Sequence, residues 1–377
     1  MQAKFLTAIL LLASVSFSVF GQVDIASRLK RQYENKKYDS IIAESASKTE
    51  GYTALSFYYT GMAYYMKNDD DNSLVYLNKA IAMEPDMASA YYYRAMSLTY
   101  IEEYLEAIKS FQNAIAADTA NSGYYTSLGD LYFKIEDYDD ALKTFSAAIH
   151  KKQPEDRAFT MIPQVYAAKN EMDKALQAYY FALQKLAVSS ASYKTALYNI
   201  AQLEILNKNF IKAESVLKEF IKSEPADYSA DAKLMQVYYG QKKYDSAKPL
   251  RDTLYYAYRK GRLRKTLKDR FCYDQFTWKD KRIEAYEKFE TPRNNGDAKL
   301  IFYVMSGTDH IDFKIQTEYD PLLVELGTNM KYVLCKDQGD IHESYKKQLG
   351  DLVNYDDLKQ SVLDVLDGKM KPVSENH

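Results

Sequence analysis

Residues 88–121 read ASAYYYRAMSLTYIEEYLEAIKSFQNAIAADTAN, and residues 122–155 read SGYYTSLGDLYFKIEDYDDALKTFSAAIHKKQPE. Laid over one another, the two blocks agree where packing is most demanding. Ala95 falls on Gly129, Tyr104 on Tyr138, Ala107 on Ala141, Phe111 on Phe145 and Ala114 on Ala148. The register extends both ways. Segments begin at Ala54, Ala88, Ser122, Asp156, Lys194 and Tyr228, each 34 residues after the last except for one insert of four residues, Ser190 to Tyr193. A period of that length, with small and aromatic residues at fixed places, predicts a solenoid of stacked helix hairpins.

The columns carry the packing argument. Counted from the start of each segment, the twentieth place is Ser73, Ala107, Ala141, Ala175, Ala213 and Ala247. The twenty-seventh is Ala80, Ala114, Ala148 and Ala182, then Phe220 and Leu254. Small side chains there let two antiparallel helices approach closely. The eleventh place is Tyr64, Leu98, Tyr132, Tyr166, Glu204 and Tyr238. The twenty-fourth is Leu77, Phe111, Phe145, Tyr179 and Leu217, with Arg251 breaking the run. Apolar places three and four apart make one helix face. A single hairpin cannot bury that face, so stacking supplies the core. Pro85, Pro154 and Pro225 stop second helices.

These columns resemble the tetratricopeptide repeat family. Its signature adds a bulky residue at the fourth place, met by Phe57, Tyr91, Tyr125, Phe159 and Leu197 but not Asp231. It also asks for a small residue at the eighth place (Gly61, Ala95, Gly129) and an aromatic one at the seventeenth (Tyr104, Tyr138, Phe210, Tyr244). The resemblance implies a mainly α, superhelical solenoid of six units, 54–87, 88–121, 122–155, 156–189, 194–227 and 228–261. Residues 22–53 read as a degenerate capping unit, with Tyr38-Asp39-Ser40-Ile41 echoing Tyr244-Asp245-Ser246-Ala247. Pro163 and the insert after it mark an expected bend.

In this family the groove is lined from the second, fifth, ninth and twelfth places of each unit. Carried over by position, the partner-binding groove comprises Tyr58, Met62, Tyr65, Tyr92, Met96, Phe133, Tyr198, Gln202 and Tyr239, joined by Thr99, Thr126, Asp130, Gln164 and Gln236. Family members that clamp a C-terminal carboxylate place cations at the fifth and ninth places, where Tyr58 and Met62 stand, so that role is disfavoured. The implied activity is non-catalytic scaffolding: binding of a protein or peptide. A cell-envelope glycan is the second reading, because 36 tyrosines offer rings that stack on sugars.

Net charge is −2, from 50 basic and 52 acidic residues, so no global field draws the chain to nucleic acid. Residues 1–21 read as a signal peptide: Lys4, an apolar run from Phe5 to Val19, and a small residue, Gly21, before Gln22. No later run reaches membrane length. The mature chain is expected to be exported, periplasmic or secreted. Cys272 and Cys335 could pair in an oxidising compartment or stand as buried thiols, and spacing does not decide.

After about Gly261 the pattern changes, and residues 262–377 read as a small α+β module. His310 to Tyr319 alternates polar and apolar, as a half-buried strand does. Phe271–Trp278, Arg282–Phe289, Lys299–Met305 and Lys331–Cys335 also read as strands, with Asn295-Gly296 as a turn. Asn354 to Gly368 reads as a capped closing helix. The basic run 259–270 reads as a solvated junction or as a patch for an acidic partner. The third functional reading is an enzyme with its site in this module, from Cys335, His342, His310, Asp337 and Asp340. No motif for a nucleotide, a metal or a serine nucleophile occurs, so neither cofactor nor metal is expected. Asn68 to Asn72 lacks the glycine and glutamate of a calcium loop and reads as a helix-hairpin turn.

Overall fold

The computed structural model describes residues 25–263, 272–289, 298–307, 310–318, 329–336, 342–348 and 354–373. The signal segment, the Asn295-Gly296 turn, Asp337, Asp340 and residues 264–270 of the basic run lie outside the described residues. The chain divides at Leu186/Ala187 into two compact units.

The first unit is five helix hairpins. Residues 25–34 form α1 and Tyr38–Ser47 α2; Ala54–Met66 and Asp70–Met83 form α3 and α4. Ala88–Tyr100 and Tyr104–Ala117 form α5 and α6, and Ser122–Lys134 and Tyr138–Ile149 form α7 and α8. Asp156–Ala168 and Met172–Lys185 form α9 and α10. First helices begin on the first residue of each segment, as the period predicts. Pro163 does not end α9. It sits inside the helix, buried among the side chains of that turn.

The columns now have physical causes. Ala80, Ala107, Ala114, Ala141, Ala148, Ala175 and Ala182 are 0% exposed. The eighth place lies against the twenty-fourth: a Cβ on Gly61 would stand 2.7 Å from Leu77 Cγ, and one on Gly129 2.7 Å from Phe145 Cε1. Each hairpin turns the same way. The fifteenth place (Asn68, Glu102, Glu136, Asn170, Lys208, Lys242) has φ between 58° and 66°. The next N–H donates back to the carbonyl of the eleventh place, as in Asp69 to Tyr64, Glu103 to Leu98 and Asp137 to Tyr132. This is the closure of a Schellman motif, in which a left-handed residue lets the chain satisfy its last carbonyls. The Asn68 to Asn72 run is such a turn, with Asp69 accepting from Asn72 N at 3.2 Å to cap α4.

The second unit opens with two more hairpins: α11 (Ala191–Leu206) and α12 (Phe210–Ser223), then α13 (Tyr228–Gly240) and α14 (Tyr244–Arg259). The insert supplies the Ser190 cap and first turn of α11, so α11 has 16 residues where α3, α5, α7, α9 and α13 have 13. A six-stranded antiparallel meander follows, in sequence order. Its strands are β1 (Cys272–Trp278), β2 (Lys281–Phe289), β3 (Ala298–Ser306), β4 (His310–Glu318), β5 (Asn329–Lys336) and β6 (His342–Gln348). The closing helix α15 is Tyr355–Leu366, capped by Asn354 accepting from Asp357 N at 2.9 Å.

One sheet face is buried: Ile283, Ala285 and Glu287, then Leu300, Phe302 and Val304, Ile315 and Thr317, Met330, Tyr332 and Leu334. It meets the last repeat helix and the closing helix. Tyr258 and Thr317 hydroxyls lie 2.8 Å apart, and Lys347 Nζ donates to Ser361 Oγ at 2.7 Å. Arg259 opens the basic run but is 1% exposed, so the solvated-junction reading fails at that residue. Cys272 and Cys335 are free thiols. They sit on β1 and β5, and four strand spacings of roughly 4.8 Å exceed the roughly 7 Å Cα span of a disulfide. The pairing reading is therefore wrong.

Two predictions follow from this packing. Gly129→Ala forces the Phe145 ring aside and costs about 1–3 kcal/mol, read as a lower urea midpoint with unchanged slope. Glu287 is buried with neither carboxylate oxygen hydrogen-bonded among the described residues, and burial raises its pKa to about 8. Unfolded, the same group ionises near its ordinary ~4.3. The folded state therefore holds the proton more tightly across that window, and stability falls as pH rises from about 5 to 8. Thermal melts of Glu287→Gln are expected to match the parent near pH 5 and to exceed it near pH 8.

Candidate partner-binding surfaces

In the first unit the fifth-place tyrosines project from neighbouring first helices and meet through residues that the positional argument did not name. Tyr93 is the hub. Its ring lies 6.0 Å from Tyr58, 5.5 Å from Tyr65 and 5.2 Å from Tyr92. Tyr33 and Tyr59 extend the cluster at one end, 6.0 Å apart, and Tyr124 does so at the other, 5.2 Å from Tyr92. Burial pushes the Tyr58 and Tyr93 phenols up, so they stay protonated donors. The signal for Tyr93 was available: aromatic residues recur at the sixth place as Tyr59 and Tyr93.

The other expected groove residues of this unit divide by exposure. Tyr58, Tyr65 and Tyr92 are half-buried, whereas Met62 is 5% exposed and belongs to the core. Thr126 is also buried, its hydroxyl spent on the Ser122 carbonyl at 3.0 Å. Met96 and Phe133 pack on the core clusters around Phe111 and Phe145. Asp130 of α7 accepts two bonds from Arg157 of α9, at 2.8 and 3.1 Å, bracing adjacent first helices.

The second unit holds two cavities, and both contain predicted groove residues. One, about 660 Å³, is lined by Tyr198 and Gln202 of α11, Phe220 at the end of α12, and Asp227 and Ser229 at the start of α13. Lys194 and Glu224 pair across it at 2.5 Å. The Tyr198 ring lies 5.6 Å from Phe220, with Lys233 Nζ 5.2 Å from its centre. The other, about 600 Å³, has Gln236 and Tyr239 of α13 and Tyr244 of α14 on one wall, and Gln275, Phe276 and Thr277 of β1 on the other.

Where this unit departs from the repeat pattern, the departures serve the sheet and the hairpin turns. Arg251, in an apolar column, puts its guanidinium 3.1 Å from Asp356, 3.0 Å from Asp252 and 3.9 Å from Asp274, above the Tyr355 ring at 4.5 Å. Lys359 reaches Asp274 from α15 at 3.2 Å, and Tyr273 donates to the Arg251 carbonyl. Arg251 thus ties α14, β1 and α15 together. Glu204, in the aromatic column, is 0% exposed and accepts from Asn209 Nδ2 at 2.8 Å. Asp231 is buried, and desolvation, then Asp227, raises its pKa to about 6.

Of the residues of the enzyme reading, the described ones are brought together only in part. Cys335 and His342 are opposite in the β5–β6 register, but His310 lies on β4 four residues beyond Lys314, the partner of Cys335 there. His310 is 70% exposed, 3.4 Å from Asp312. Burial pushes the other thiol, Cys272, up to about 12, far from a nucleophile. Among the described residues no cluster of three metal-ligating side chains occurs.

Residues 126–191 match the family model described as a tetratricopeptide repeat. The C-terminal part of a repeat-containing protein from Cytophaga hutchinsonii shares the fold at a TM-score of 0.50 and 14% identity, over 60% of this chain and 92% of that one. Residues 126–191 are thus tetratricopeptide repeat in sequence, and the helical part of the chain has the solenoid fold of such repeats. Pseudomonas aeruginosa PilF (TM-score 0.44, 16% identity, 54% and 91% of the two chains) is a more distant neighbour. So is YrrB, a repeat protein with an unusual peptide-binding site (0.37, 21%, 50% and 92%). No curated protein matches the chain. Among the described residues no helix is long and apolar enough to cross a membrane.

Removing the Arg251 guanidinium leaves Lys359 as the cation beside Asp274, 8% exposed, among the described residues. Arg251→Ala is expected to cost about 3 kcal/mol, to be read as earlier proteolytic release of the sheet module from α14 at unchanged helicity.

Proposed function

We propose that this chain is an exported, non-catalytic scaffold that binds a peptide or protein partner on the first-helix faces of its tetratricopeptide array. The observation that carries the reading is the pair of cavities in the second unit. Tyr198, Gln202, Gln236 and Tyr239 were selected by repeat position alone, and each lines one of the two. Their volumes, about 660 and 600 Å³, fall in the range of ligand sites. Tyrosine gives such walls large apolar area and a hydrogen-bonding tip at low entropy cost. The glycan reading is less supported, because the tyrosines of the first unit spend their rings on one another.

Export rests on the composition of residues 1–21. It predicts that the chain recovered from the periplasmic fraction begins at Gln22, and an intact Met1 terminus would oppose it. The binding reading is tested by pull-down from envelope extract with residues 22–377 as bait. A protein partner is expected whose recovery drops at least about tenfold on Tyr92→Ala with Tyr198→Ala. Equal recovery by the folded double variant would oppose the assigned faces.

A further inference from the structure

We infer that β1 is a docking edge, to which an extended peptide segment of the partner adds as a further strand, filling the 600 Å³ cavity between β1 and the last repeat. The inference rests on the scaffold reading and names how one of its two second-unit cavities is used.

Among the described residues, strand order leaves β1 with a strand neighbour on one side only. The β1–β2 hairpin closes through two residues, Lys279 and Asp280, so Trp278 and Lys281 form its hydrogen-bonded terminal pair. Pairing alternates along an antiparallel ladder. Phe276 and Asp274 therefore aim their N–H and C=O at β2, while Gln275 and Thr277 aim theirs away from it. At the register shift between Cys272 and Asp274, the Tyr273 carbonyl accepts from Tyr239 Oη at 3.3 Å, which places α13 beside this end of the strand. Gln275 and Thr277 are exposed. The cavity runs beside this row, with Gln236, Tyr239 and Tyr244 opposite. A strand laid there gains ladder hydrogen bonds on one side and aromatic surface on the other.

The opposite edge is treated differently. At β6, Val373 N donates to the Ser344 carbonyl at 2.6 Å, so the chain after α15 returns to β6 at that residue. Lys346 and Lys347 add charge to it, the usual protection of a free edge. Gln275, Phe276 and Thr277 carry neither charge nor proline.

The lining also fixes the chemistry of the occupant. Lys281 is paired with Asp312, Arg282 with Glu284 at 3.0 Å, and Asp274 with Lys359; Lys279 and Asp280 are adjacent and opposite. The charges of the wall are thus balanced internally. The complementary segment is uncharged and extended, with an apolar side chain between Phe276, Tyr239 and Tyr244 on alternate residues. Continuity with the scaffold's expected groove comes through Tyr239, the twelfth-place residue of the last unit.

The test pans a random dodecapeptide library on phage against residues 22–377. Winning peptides are synthesised and their Kd values measured by fluorescence anisotropy. Thr277→Pro removes one outward N–H without touching the β1–β2 ladder. It is expected to weaken binding at least about tenfold, whereas Thr277→Ala changes it less than about twofold. An N-methyl scan of the peptide against the unaltered protein is expected to weaken binding at every second residue. That scan decides the matter by itself if Thr277→Pro fails to fold. Peptides that bind Thr277→Pro normally, show no two-residue period and depend on Tyr92 or Tyr198 would overturn the strand-addition inference and leave the scaffold reading standing. Enrichment of no peptide at all would oppose both.

Discussion

A helix hairpin of 34 residues has one apolar face too many. Its two helices cover each other along one seam, and the outer stripe must be covered by the next hairpin. How closely the two helices of a pair approach is set where the eighth place meets the twenty-fourth, with Gly61 under Leu77 and Gly129 under Phe145. A Cβ at 2.7 Å leaves no slack, so the large residue can be large only because its neighbour has no side chain. The alanines of the twentieth and twenty-seventh places, all fully buried in the first unit, extend that close approach along the second helices. Aromatic mass then collects at the remaining places, which explains why a chain with 36 tyrosines and one tryptophan folds as a repeat rather than as a single core.

The places that break these rules are informative because a buried charge is costly unless it is held. Arg251 should be apolar, and is instead the point where α14, β1 and α15 are fastened. Glu204 should be aromatic, and instead holds Asn209 in the turn that follows α11. Asp231 should be bulky, and stands buried near Asp227 with a raised pKa. All three lie in the second unit, which carries the sheet and both cavities. The repeat pattern fades there because the last hairpins meet a different neighbour, so the sequence constraint passes from helix stacking to sheet docking.

The array was legible because its signal is repeated six times, and each column averages out local exceptions. The strands were legible one by one: β1 to β5 and α15 fall within a residue or two of the alternation that predicted them. β6 was missed because HESYKKQ is almost wholly polar, as suits an outer strand in which Ser344 and Tyr345 are buried while Lys346 is exposed. The left-handed turns were missed because Glu102, Glu136, Lys208 and Lys242 fill a conformation that usually advertises itself with glycine or asparagine. Register in the meander could not be read from spacing, and that is why the cysteine pair stayed open until strand order placed it four strands apart. The candidate surface was half legible. Repeat position picks out which side chains leave the first helices, but burial decides which remain available, and it removes Met62 and Thr126 while adding Tyr93.

A strand edge that no other strand pairs with among the described residues is a chemical demand as well as a hazard. The buried face fixes the sheet against α14 and α15, so β1 cannot relieve its unpaired backbone groups by twisting into the protein. Aggregation through such an edge is suppressed when access is restricted, and here the wall formed by Gln236, Tyr239 and Tyr244 leaves a slot rather than an open flank. A repeat array ordinarily selects partners by side chains alone, whereas a sheet edge reads backbone. Joining the two in one unit combines side-chain discrimination on α13 with sequence-tolerant hydrogen bonding on β1. That division of labour gives the C-terminal sheet a reason to be fastened to the last repeat through Arg251.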